Sequence, residues 1–312
     1  MTSPESLDLP ELPPVSPGQL PEVPVEATYY FHFDPPPKFQ HRYWIHIALF
    51  LATLASTTFV GATTSWMSGF WYSVPILAIL TAHEFGHYIA CRRHNVDATL
   101  PYFLPMPFLP LTGTLGAVIK IREAFPSKQA LFDIGVAGPI AGFVTLLPFL
   151  FWGVAHSTVI TIDPNAGAIW LGEPLLFKAV KYLTIGPLAP NLDVTIHPMG
   201  FAAWFGMLAT SLNLLPFGQL DGGHISYASF GPKSRYISMA TLAIALGLTV
   251  WSLSWISMAI MMTVMAWFLG FGHPRIIDEH EPLDTKRKLI ALVALIIFIV
   301  CFTPVPIEIL SN

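Results

Sequence analysis

The chain has 312 residues, of which 54% are hydrophobic and only 11% charged. Soluble domains carry about a quarter charged residues, so this balance points to a polytopic membrane protein. The net charge of −4 at pH 7 offers no basic footprint for nucleic acid, and two cysteines, Cys91 and Cys301, give no sign of a disulfide framework or a four-cysteine zinc site.

Residues 1–40 are rich in proline, with scattered acids and no Lys or Arg before Lys38. Such a stretch buries too little apolar surface to offset its ordering entropy, and it reads as a disordered cytoplasmic tail. It has neither the basic start and apolar middle of a signal peptide nor the Arg/Ser richness of an organelle transit sequence. Residues 41–304 read as the membrane domain, with a core at about 70–230 and a C-terminal tail at 305–312. Apolar runs predict spans at 43–63, 69–91, 129–155, 198–216, 236–253, 255–271 and 288–304. The fifth and sixth are short and separated only by "SLS", so the expectation is six to seven transmembrane helices in an all-α polytopic fold.

Positive loops stay inside. With the N-terminus inside, residues 92–128 and 272–288 are cytoplasmic and collect most of the Lys and Arg, whereas 156–197 lie outside and keep only Lys178 and Lys181. In the first of these loops, "LPYFLPMPFLP" is too broken by proline to span as a helix. The "GTLGAVIKIRE" that follows predicts a short strand, Leu115 to Ile121, a small β element between the second and third spans. Outside, "GEPLLFKAVKYLTIG" predicts an amphipathic helix on the membrane face.

The second predicted span ends in "LTAHEFGHYIACRR". His83 and His87, at i and i+4, share a helix face and can chelate one ion. Glu84 between them need not be a ligand, which suits a general base acting on water that the metal activates. Ionisable groups inside a span are costly and point to function. Zinc needs a third protein ligand. Cys91 lies on the same helix stripe but about 12 Å along the axis from His83, and His94 is farther.

The ligand must therefore come from another segment, and "NLLPFGQLDGGH" (213–224), ending the fourth span, is the best source. It places Asp221 at a depth matching the histidines, and Asn213 as an amide aimed at substrate. Asp133, near the start of the third span, is a rival ligand. The glycines of "GVAGPIAG" that follow it read as helix packing. His224 is a candidate supporting residue, and His197 and His273 read as interfacial.

"HEFGH" followed by "GVAGPIAG" and "NLLPFGQLDGG" resembles the site-2 proteases, the intramembrane zinc metalloproteases of peptidase family M50. The stretch "GTLGAVIKIREAFPSKQALFDIGVAGPIAG" is most similar to the subgroup without a PDZ domain, which has plant chloroplast and bacterial members. The resemblance covers roughly residues 70 to 275. It implies a three-span catalytic core, one Zn2+ per chain held by His83, His87 and Asp221, Glu84 activating water, and Asn213 contacting the scissile peptide. Its expected partners are the lipid bilayer and a membrane-protein substrate with a transmembrane helix. The composition of the tail favours a bacterial cytoplasmic membrane over a plastid. The alternative, a metal transporter or sensor with the same ligands, would string acidic and His residues through several spans, whereas here they cluster at one depth.

Overall fold

A computed structural model describes residues 42–109, 111–162, 168–272 and 276–310. The expected tail at 1–40 and His273 lie outside the described residues, as do 311–312 of the expected C-terminal tail. Among the described residues the chain is mostly helical.

Among the described residues, three helices are long and apolar enough to cross a membrane: α1 (Tyr43–Gly61), α2 (Trp66–Arg93) and α3 (Lys128–Ala155). They fall on the first three predicted spans. At 1.5 Å per residue, the 28 residues of α2 or α3 reach about 42 Å, beyond the roughly 30 Å of a hydrocarbon core. Both have defined starts. Ser65 and Ser68 cap each other's backbone at α2, and Ser127 accepts from the Ala130 N–H at α3. The rest are α4 (Leu175–Thr184), α5 (Pro198–Asn213), α6 (Asp221–Phe230), α7 (Ser234–Leu248), α8 (Trp255–Leu269) and α9 (Thr285–Cys301). On the other predicted spans, α5, α7, α8 and α9 have only 15 to 17 residues, short of the about 20 that a lone span needs. Apolar contacts pack α7 and α8 together, through Ala245, Trp255, Met258 and Met262. The main core lies between α3 and α5, where Leu146, Leu150, Val154, Trp204 and Met207 are fully buried.

Between α2 and α3, β1 (Tyr102–Pro105) pairs antiparallel with β2 (Thr114–Val118). The ladder begins one residue before the expected strand and stops at Val118, leaving only an isolated bridge between Ala98 and Ile121. Nothing in the sequence pointed to β1, because Pro105 within it and Pro101 beside it lack donors and argue against a strand. It survives as a short edge of a two-stranded sheet.

This hairpin lies along the helices. His46, near the start of α1, donates through Nδ1 to the Pro101 carbonyl at 2.9 Å, and Ser56, near its end, donates to the Gly113 carbonyl at 2.6 Å. Ten residues of helix separate those contacts, so the hairpin runs about 15 Å along the α1 axis. Tyr72 of α2 donates to the Leu111 and Thr112 carbonyls at 3.1 and 2.9 Å. Irregular backbone at membrane depth needs such protein partners, which accounts for the buried Ser56 and Tyr72 hydroxyls.

At the far end of the bundle, β3 (Thr158–Thr161) pairs with β5 (Leu192–Thr195) and β4 (Ala168–Leu171) with β6 (Ile307–Leu310). The segment expected to be a C-terminal tail thus contributes a strand. The amphipathic helix expected at 172–186 is α4, which buries Phe177 and Val180 and leaves Leu175, Tyr182 and Leu183 exposed.

Candidate metal centre

One turn of α2 sets His83 above His87, with ring centroids 4.8 Å apart and their Nε2 atoms at 3.1 Å. Asp221 reaches both: Oδ2 lies 3.2 Å from His83 Nε2 and Oδ1 3.3 Å from His87 Nε2. It comes from the turn between α5 and α6. The chain leaves α5 at Asn213, reverses through Pro216 and through Gly218 at φ +52°, and starts α6 at Asp221. Only a residue tolerant of positive φ fits at 218 comfortably. At the first position of α6, the carboxylate also meets the positive end of the helix dipole.

The rings are held from behind. His87 donates from Nδ1 to the Ile134 carbonyl of α3 at 2.7 Å, which fixes its proton there and leaves Nε2 as an acceptor facing Asp221. The glycines of "GVAGPIAG" let α3 come this close: a Cβ at Gly138 would collide with Nε2 of His87, and one at Gly142 would lie 3.3 Å from His83 Cβ. Two imidazole nitrogens and a carboxylate oxygen, all within 4.8 Å of one another and largely buried, fit a tetrahedral zinc ion that keeps one open position.

Glu84 is buried beside this cluster without belonging to its donor set, and the backbone N–H of Ile119 faces its carboxylate. Thr99 donates to the Lys120 carbonyl and Arg122 to that of Asp97, so the backbone of 120 and 122 faces the β1 side. By alternation Ile119 and Ala117 face the opposite edge, which runs toward the site. Asn213 Nδ2 lies 3.4 Å from His83 Nε2, bringing the amide to the rim of the cluster.

The rival Asp133 is engaged elsewhere, by Arg287 at 2.8 and 2.6 Å and by His94 at 2.9 Å. His224 packs on Phe125, His197 caps α5 beside Trp71 and Trp152, and Cys91 is buried as a free thiol. Three supporting groups were invisible in the sequence. The Ile134 carbonyl and Ile119 N–H are backbone groups with no residue-type signal, and Arg287 read only as cytoplasmic charge.

The sequence pattern of peptidase family M50 matches residues 71–254, more than half of the chain. Among curated proteins, a rice (Oryza sativa subsp. japonica) protein named probable zinc metalloprotease EGY1, chloroplastic, is 35% identical over 187 residues, covering 57% of this chain and 30% of the relative. Its Arabidopsis thaliana namesake is 32% identical over 183 residues, 56% of this chain and 32% of the relative. A rice (subsp. indica) protein named probable zinc metalloprotease EGY2, chloroplastic, is 30% identical over 227 residues, 71% of this chain and 40% of the relative. The chain thus spans 30 to 40% of the length of these relatives. Their names place the plant proteins in chloroplasts and lend no support to the bacterial membrane expected from the tail. The matched segment contains both histidines and the distant turn that brings a carboxylate to them, and the chain belongs to peptidase family M50.

Proposed function

We propose that the chain is a zinc metalloendopeptidase that cuts transmembrane segments of other membrane proteins within the bilayer. The observation that carries this is the largely buried group of His83, His87 and Asp221, with Glu84 beside it, the two histidines and Glu84 sitting on a helix apolar and long enough to span. The three residues would hold one zinc ion, which when bound acidifies water and polarises a carbonyl. Glu84 takes the proton of the attacking water and passes it to the leaving amine. Asn213, at the rim, steadies the scissile peptide.

A substrate helix has to unwind before it is cut, and its freed N–H and C=O groups need partners in this low-dielectric setting. The open edge of β2, continued by Ile119 just past its end, supplies them by strand addition, with Asn213 on the opposite side. In this proposal α5, α7, α8 and α9 complete seven spans around the core of α2, α3 and α5. The N-terminus and the metal centre lie toward the cytoplasm, the side that collects Arg92, Arg93, Lys128, Lys233 and Lys286.

The test is cleavage of a transmembrane peptide by purified, zinc-loaded protein in liposomes, comparing wild type with Glu84→Ala. The variant should keep one zinc per chain and lose turnover by about 10²-fold or more, the contribution of a positioned general base. Substantial retained turnover refutes the role of Glu84.

A further inference from the structure

Asp133 is the hub of a cluster that closes the site end of the bundle. Arg287, in the first turn of α9, grips both its carboxylate oxygens and also donates to Gln129 at 3.0 Å and Asp284 at 2.8 Å. His94, just past the end of α2, meets the same carboxylate. The segment leading into α9 crosses the start of α3: Ile277 and Asp278 donate to the Phe125 and Pro126 carbonyls at 3.0 and 3.1 Å. One residue on, Glu279 accepts from Tyr227 of α6 at 2.8 Å, and Ile276 and Leu283 are buried in the main core.

We propose that residues 276–287 form a strap in which Arg287 and Glu279 are positioning residues for the metal centre, setting the spacing between α6, which carries Asp221, and α3, which orients His87. This rests on the assignment of zinc to His83, His87 and Asp221. Asp133 immediately precedes Ile134, whose carbonyl orients His87, so the two-pronged grip of Arg287 fixes that turn of α3. The ten-residue α6 is too short to be stable alone. One side of it rests on α3, where a Cβ at Gly135 would lie 2.8 Å from His224 Cβ, and Tyr227, six residues beyond Asp221, is pinned by Glu279. Metal–ligand distances tolerate only about 0.2 Å, so a helix that rocks on its support loses its ligand geometry. The strap lies beyond the family-matched segment, which ends at 254. This chain therefore steadies a shared centre with residues from outside that segment.

The experiment uses the full chain in detergent and measures zinc dissociation constants by chelator competition, thermal midpoints, and kcat and KM separately. Arg287→Lys keeps the charge and loses the fork, and Tyr227→Phe removes one hydroxyl. Each should weaken zinc binding by the folded protein about tenfold, the lower end for partners that orient ligands, and lower kcat at unchanged KM. Lys288→Ala, on the same helix turn, should do neither. If Arg287→Lys expresses poorly, Tyr227→Phe decides the question alone, because its ring still fills the core. A lower thermal midpoint with unchanged zinc affinity would make the strap a structural clamp only and overturn the proposal. A wild-type chain that binds no zinc refutes the metal assignment itself, a result distinguishable from the first because it appears without any variant.

Discussion

Gly138→Ala drives a methyl group into the Nε2 edge of the His87 ring. The added Cβ would sit 2.5 Å from Cδ2 and 2.6 Å from Cε1 of that ring. Carbon atoms pack best at about 3.5–4.0 Å, so the imidazole or α3 must retreat by roughly 1 Å. Zinc sites tolerate about 0.2 Å, so that retreat removes His87 as a ligand. Affinity for zinc should fall by more than the roughly 100-fold seen when a mere supporting partner is lost. Overpacking a helix interface adds a stability cost of about 1–3 kcal/mol. Gly142→Ala is the internal control. Its Cβ would lie 3.3 Å from His83 Cβ and 3.4 Å from Nδ1, a shortfall of a few tenths of an ångström, and should leave zinc content near one per chain. Metal analysis of both purified variants, with thermal melts to count the folded fraction, measures the difference. Wild-type zinc affinity in Gly138→Ala, or equal loss in the two variants, refutes the proposed packing of α3 against the ligands.

Asp221→Ala should strip zinc, whereas Asp133→Ala should still load about one zinc per chain at saturating metal, and metal analysis of both decides it; the opposite pattern moves the third ligand to α3. Ile119→Pro deletes the N–H that faces Glu84 on the open edge and should abolish most cleavage with zinc retained. Val118→Pro acts instead on the edge shared with β1, and its main effect should be a lower thermal midpoint; normal cleavage by Ile119→Pro would make the open edge of β2 irrelevant to substrate. For orientation, a membrane-impermeant thiol reagent on intact cells should label Asn191→Cys and spare Lys286→Cys, both sites being exposed; the reverse labelling inverts the topology.

The sequence by itself determined what is local. An i, i+4 pair of histidines with an intervening glutamate shares a helix face wherever that helix packs, because 3.6 residues per turn is a property of the backbone. Long apolar runs likewise marked α1, α2 and α3, since the cost of burying polar groups in lipid is paid residue by residue. For the shorter α5, α7, α8 and α9 the same signal is weaker, and length no longer distinguishes a span from a buried helix. Which carboxylate meets the histidines was decided only by tertiary structure. Asp133 and Asp221 were both near the right depth, and Arg287, 154 residues beyond Asp133 in the chain, occupies one while the reversal at Gly218 delivers the other. The supports behind the site were hidden for a related reason. The Ile134 carbonyl and the Ile119 N–H are present in every residue but proline's missing donor, so no residue type announces them. They acquire a role only when the glycines of α3 let two helices touch and a proline-broken loop turns back into the bundle, where the absence of water leaves each polar group to find its partner in the protein.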